Sequence, residues 1–185
     1  MTAGLPRGDI ENFLRALDRA LKGPATMLVI GGTAAVLRYG ATRATQDIDT
    51  LSTVSQSLAL AASAARAKTG LDIPIQYVTI ADTPEDYESR LERVLPQLKR
   101  LSVLVPERHD LVLMKAVRAY EHDIQVIREI HSHAPLDLEV LVDRFLNEMS
   151  PIGNPTRIRQ NLLLVIEKVF PDAVDDVERR LRAAR

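Results

Sequence analysis

Residues 28–51 read LVIGGTAAVLRYGATRATQDIDTL, and the three parts of this stretch decide the fold. The apolar run Met27–Ile30 is short, continuous and closed by Gly31-Gly32, as buried strands are. A short helical pattern follows from Thr33 to Tyr39 and stops at Gly40. QDIDTL then predicts a second strand, with Ile48 and Leu51 as its apolar members. Side chains two apart on a strand share a face, so Asp47 and Asp49 are expected side by side. Two adjacent anions repel unless a cation sits between them. Magnesium, or manganese in its place, is the expected cation, because such ions take oxygen ligands and bridge carboxylates to substrate phosphates.

The glycines complete the pattern. A residue without a side chain lets backbone approach a ligand closely. Gly31 and Gly32 fall where a strand gives way to a helix, and the N–H groups of a helix start form an anion site. Thr33 is placed to add a hydroxyl, as an N-cap or as a phosphate ligand. One loop thus offers donors to phosphate and the next strand offers acceptors to metal, which suits a nucleoside triphosphate with its magnesium. Each half alone has a plainer reading: a tight turn with no ligand, and a solvated strand end. Their joint order and spacing favour the site.

Outward from this stretch the chain divides in two. Residues 9–22 read as an amphipathic helix, with Ile10, Phe13, Leu14, Leu17 and Leu21 at helical spacing, Asp9 as N-cap and Gly23-Pro24 as the stop. Residues 55–69 are alanine-rich and helical. Ile73–Ile80, IPIQYVTI, alternates and is expected as a strand, with Pro74 at its start or on an edge. Thr83-Pro84 opens a further helix through Tyr87, Arg90, Leu91 and Val94, ended by Pro96. LSVLV, Leu101–Val105, is the last strand expected. Beyond Pro106 the pattern is helical throughout, over about 107–119, 121–132, 136–149, 156–169 and 172–184. The reading is therefore an α/β (α+β) domain over residues 1–106, a short mixed sheet flanked by helices, and a helical domain over residues 107–185.

Composition sets bounds. The 185 residues are 46% hydrophobic and 26% charged, ordinary for a soluble globular protein large enough to bury a core. Net charge is −1, so no global field draws the chain to nucleic acid, and any polyanion site is local. There is no cysteine, which excludes thiol catalysis, disulfides and cysteine metal sites. The N-terminal residues lack the apolar core of a signal peptide, and no apolar run reaches membrane-spanning length, so a cytoplasmic protein is expected.

GGTAAVLRYGATRATQDIDTL resembles the nucleotidyltransferase (polymerase-beta-like) superfamily, with its Gly-Gly-Ser/Thr turn followed by Asp-x-Asp. The spacing Arg43-x-Thr45-x-Asp47-x-Asp49 resembles the AbiEii-like branch, found as toxins of type IV toxin–antitoxin pairs. YESRLERV and LSVLVPERHDLVLMKAVRAYEHD are similar to that branch's strand and following helix, and the likeness spans about residues 26–130. The resemblance implies a nucleotidyltransferase that moves a nucleoside monophosphate from a triphosphate to an acceptor hydroxyl, on tRNA or on a protein, with a cognate antitoxin as a further partner. It implies Asp47 and Asp49 as catalytic metal ligands, and Gly31, Gly32 and Thr33 as the phosphate cradle. It also implies Lys115 as a triphosphate contact, offsetting charge on the leaving pyrophosphate.

One departure stands out. Two-metal phosphoryl transfer uses a third carboxylate on an adjacent strand, and IPIQYVTI has none. Gln76 occupies the place of that acid. Asp72, on the same parity just before the strand, is the candidate for activating the acceptor hydroxyl. The alternative reading, a catalytically silent fold that binds a nucleotide or a partner protein, rests on this gap.

The remaining polar residues each carry two readings. Arg43 could clamp a phosphate with its fork, or pair with a surface carboxylate. Thr45 is expected to order the loop. Lys115, Arg118 and His122 recur at i, i+3 and i+7 and predict one helical face, a solvated one in the plainer reading. Asp123 either pairs with Lys115 or Arg118 or is solvated. Tyr87 and Arg90 either meet a base and a phosphate or link their helix to the sheet. Arg179, Arg180, Arg182 and Arg185 form a basic tail that complements a helix dipole or contacts RNA. Aromatic residues are only 4% of the chain, so no stacking platform for single strands is evident.

Overall fold

The computed structural model describes residues 5–42, 45–150 and 153–184; Arg43 and Arg185 lie outside the described residues. The fold is mixed α/β, with a short sheet flanked by helices and helices at the C-terminal end. It forms two compact units. One comprises residues up to Thr79 together with Leu91–Pro106, the other Ile80–Arg90 together with Glu107–Arg185.

In the first unit, helix α1 (Arg7–Ala20) precedes strand β1 (Ala25–Leu28), helix α2 (Gly31–Tyr39), strand β2 (Ile48–Thr50), helix α3 (Gln56–Thr69) and strand β3 (Ile75–Tyr77); β4 (Glu92–Val94) and β5 (Leu101–Val105) complete it. Strand β5 is central, parallel to β1 and antiparallel to β4. Strands β2 and β3 form a separate parallel pair.

The apolar stripe of α1 explains its packing. Ile10, Phe13, Leu14 and Leu17 are fully buried, and the helix packs on α3, which presents Leu58, Ala61, Ala62 and Ala65. Each large apolar side chain so placed contributes roughly 1.5–3 kcal/mol. The helix begins earlier than expected because Pro6 takes the N-cap in extended backbone; Asp9 therefore lies in the first turn rather than at the cap, where its charge complements the dipole. Asp18, one turn beyond Leu14, is buried and accepts hydrogen bonds from the backbone N–H groups of Arg100 (2.7 Å) and Leu101 (2.8 Å), fixing α1 to the start of β5.

Two elements differ from expectation. The strand expected over Ile73–Ile80 pairs only at Ile75–Tyr77. The helix expected from Thr83 to Val94 is a single 3-10 turn at Tyr87–Arg90, followed by β4. Val94 pairs with Val103, and the chain turns at Leu95, whose φ is +52°. Antiparallel pairing with the next strand, β5, here overrides the helical spacing of Tyr87, Arg90, Leu91 and Val94.

The second unit holds helices α4 (Arg108–Ala116), α5 (Glu121–His133), α6 (Leu138–Glu148), α7 (Pro155–Val169) and α8 (Val174–Ala183). Asp137 caps α6 and Asn154 caps α7 through side-chain oxygens. Segment 80–90 belongs to this unit through charge. Arg90 grips fully buried Asp110 with two hydrogen bonds, of 2.9 and 3.0 Å, and donates to Glu148 at 2.5 Å. Arg144 donates to Asp110 (2.9 Å) and Glu107 (2.6 Å). Arg90 thus links its 3-10 turn to α4 and α6 rather than to the sheet. In the basic tail, Arg179, Arg180 and Arg182 pair with Asp176, Glu139 and Glu178. No helix among the described residues is long and apolar enough to cross a membrane.

Glu107 makes this cluster acid-sensitive. Burial alone would raise its carboxyl, but the hydrogen bond and charge of the His109 ring, with Arg144 and the His109 N–H, bring it from 4.5 down to about 2. A depressed native value stabilises the fold above the unfolded value and is lost as pH falls through the native one. Unfolding followed by circular dichroism is expected to show a loss of about 3 kcal/mol between pH 4.5 and 2 from this group. Glu107→Gln should flatten that part of the profile.

Candidate active site

Asp49 sits on β2 and Asp47 in the bend just before it, because the strand expected over QDIDTL pairs only at Ile48–Thr50; three local features aim the acids. Ile48 and Thr50 are fully buried, which turns Asp49 between them to the other face; Asp47 and Asp49 are both half-buried. Strand β2 is joined to the end of β1 by an antiparallel bridge, Val29 opposite Thr50. There Ile30 N–H donates to Asp49 O (3.0 Å) and Leu51 N–H to Leu28 O (2.9 Å). Hydroxyls reinforce this join: Thr50 Oγ1 donates to Leu28 O (2.9 Å), and Ser52 Oγ accepts from Leu28 N–H (2.8 Å).

The glycines face the acid-bearing segment, Gly31 at Asp49 and Gly32 at Thr45. Gly31 has φ +67°, a left-handed conformation, and a Cβ there would stand 3.0 Å from Asp49 Oδ2. A Cβ on Gly32 would stand 3.1 Å from the Thr45 side chain. Each glycine therefore makes room for one residue of the Thr45-x-Asp47-x-Asp49 segment. Both open α2, whose first-turn N–H groups have no acceptor within the helix.

Thr33 has a different place from the N-cap expected of it. The N-cap is Ile30, and Thr33 is buried within the first turn. Its Oγ1 donates to Asp47 O at 2.7 Å, and Thr45 Oγ1 donates to the same oxygen at 3.0 Å. The two hydroxyls pin the backbone that carries Asp47. The Asp47 carboxylate accepts from Gln76 Nε2 at 2.9 Å, across the β2–β3 ladder.

The structure thus brings together Gly31, Gly32, Thr33, Asp47 and Asp49, with Gln76 beside them. Asp72 precedes β3, is 97% exposed and faces Arg66 at 3.6 Å. Lys115 belongs to the second unit, on α4, and is buried with its Nζ 3.0 Å from Asp123 Oδ1. The single helical face expected for Lys115, Arg118 and His122 does not exist, because the chain breaks between α4 and α5, with Ala119 at φ +47°. The three instead converge on Asp123, with Arg118 at 3.1 Å and His122 at 3.7 Å. Asp123 is fully buried rather than solvated. Burial would raise its carboxyl, but the charges and hydrogen bonds of Lys115 and Arg118 hold it below the usual range. The signal missed in the sequence was Asp18, an acid on the apolar stripe of α1.

A glycine turn opening a helix beside a pair of acids, in a mixed α/β fold, is the pattern of the nucleotidyltransferase class. Residues 9–169 match the family described as "Nucleotidyltransferase of unknown function (DUF6036)", and the chain belongs to that family. Comparison with curated proteins and with solved structures found no match.

The donor set at Asp47 and Asp49 fits magnesium or manganese. Two carboxylates supply hard oxygens beside a glycine turn where the absence of a Cβ lets backbone lie close to Asp49. Among the described residues no group of three or more His, Asp or Glu forms a metal-binding set. Magnesium bound by one or two carboxylates takes its other ligands from water and phosphate.

Gly31→Ala tests the cradle. A left-handed alanine costs about 1–2 kcal/mol, which urea unfolding should register, and Asp49 must give way to the new methyl group. Mn2+ binding is expected to weaken in the same variant. Gly23→Ala, where no atom lies within 4 Å of the added carbon, is the control.

Proposed function

We propose that this protein transfers a nucleoside monophosphate from a nucleoside triphosphate to an acceptor hydroxyl, releasing pyrophosphate. The observation that carries the reading is the closeness of the Asp49 carboxylate to Gly31, in a position that a single methyl group would obstruct. Asp47 and Asp49 hold the magnesium or manganese ion, and Gly31 and Gly32 let backbone approach the phosphates. Thr33 and Thr45 hold the Asp47 backbone in register. When bound, the cation supplies positive charge to the phosphoryl group being transferred. Asp72 is the candidate for taking the acceptor's proton. Arg43 enters as a triphosphate contact because its fork matches phosphate oxygens.

The resemblance to the AbiEii-like branch supports a finer reading: the toxin of a type IV toxin–antitoxin system, acting in the cytoplasm on tRNA or on a protein, with a cognate antitoxin. The test is incubation with each labelled triphosphate, magnesium and either total tRNA or a protein extract. Label on one acceptor class supports transfer. Gln76, where an acid would complete the site, favours a second reading, a silent fold that binds nucleotide or a partner protein. Nucleotide binding with no transfer over a broad acceptor panel would establish that one.

A further inference from the structure

Gln76 lies opposite Asp49 in the β2–β3 register, so those two side chains share one face, and a hydrogen bond brings Asp47, in the bend before β2, to the same side. Its Nε2 donates to Asp47 Oδ2 at 2.9 Å. The nitrogen is the end that faces the carboxylate, because an amide oxygen there would meet another acceptor. We propose that Gln76 makes the Asp47–Asp49 pair a one-cation centre. The inference rests on the nucleotidyltransferase reading above and deepens it.

Charge carries the argument. The two carboxylates balance one divalent ion. A second ion in a two-metal site lies about 3.5–4 Å from the first. At such spacing two divalent ions repel about fourfold more strongly than two single charges; the triphosphate's charge offsets part of this, but an ion beside the acceptor oxygen also takes protein ligands, and a neutral amide is a much weaker one than a carboxylate. Gln76 brings no charge, and its amide already occupies an Asp47 oxygen. The residue that could have served a second cation instead positions the ligand of the first. The acceptor oxygen then has no cation of its own, and its proton leaves to a base or to water rather than being lost at a metal.

The experiment is electron paramagnetic resonance of the full chain with Mn2+ and, in turn, the four α,β-methylene ribonucleoside triphosphates. The wild type is expected to bind one Mn2+ per chain, with the spectrum of an isolated ion. Gln76→Glu is expected to bind two, with a spin-coupled spectrum. A coupled pair in the wild type, or a single ion in Gln76→Glu that circular dichroism shows to be folded, overturns the proposal. Gln76→Ala should keep one ion but bind it roughly tenfold more weakly; unchanged affinity would remove the positioning role. Failure of the underlying reading is separately visible: Mn2+–nucleotide binding would be absent, or indifferent to Asp47→Ala and Asp49→Ala.

Discussion

Asp49→Ala is expected to lower label transfer by at least about 10³-fold, because it removes one of the two anions we propose hold the cation at the reacting phosphate. Asp49→Asn separates charge from shape. It keeps the side chain's volume beside Gly31 and should be as inactive as the alanine variant. Asp47→Ala should match it, although Asp47 also has Gln76 as a partner. Stability is expected to change by no more than about 1 kcal/mol in Asp49→Asn, since a half-exposed polar site seldom costs more. Loss of transfer with an unchanged urea midpoint is the signature of a working acid. Full transfer in either variant would refute the site, and a collapse of the fold would make Asp49 a structural residue.

Asp110→Ala is expected to have the largest effect on stability, about 3 kcal/mol. Asp110 is fully buried and accepts from Arg90 and Arg144 together. Its loss leaves two guanidinium groups crowded without their common counterion. Each keeps one further carboxylate, Glu148 for Arg90 and Glu107 for Arg144, which holds the cost below that of an orphaned buried charge. Chemical denaturation followed by circular dichroism measures the change. Asp110→Asn keeps two acceptor lone pairs and should cost less. Equal costs in the two variants would mean that packing, not charge, makes Asp110 matter.

These expectations differ in how far the sequence alone could have supplied them. The acids and the glycine turn were legible because the Asp-x-Asp spacing and a glycine pair ending an apolar run are local; that Asp47 lies in the bend before β2, held by Thr33, Thr45 and Gln76, was not. That Gly31 faces Asp49, and Gly32 faces Thr45, depends on how β2 meets β1, which no local pattern encodes. Strand β4 was hidden for the same reason. Glu92–Val94 pairs with residues nine to thirteen positions away, while Tyr87, Arg90, Leu91 and Val94 happen to repeat at helical spacing. Lys115, Arg118 and His122 were grouped correctly but for the wrong reason, since a left-handed Ala119 rather than a continuous helix gathers them on Asp123. The Arg90–Asp110–Glu148 cluster joins residues 20 and 58 positions from Arg90, beyond any periodicity.

The join between β1 and β2 has a consequence for anyone redesigning the protein. Main-chain hydrogen bonds survive almost any substitution, but half of this join is made by the hydroxyls of Thr50 and Ser52. Those two positions are therefore adjustable screws on the acid-bearing strand, reachable without touching a single residue that meets nucleotide.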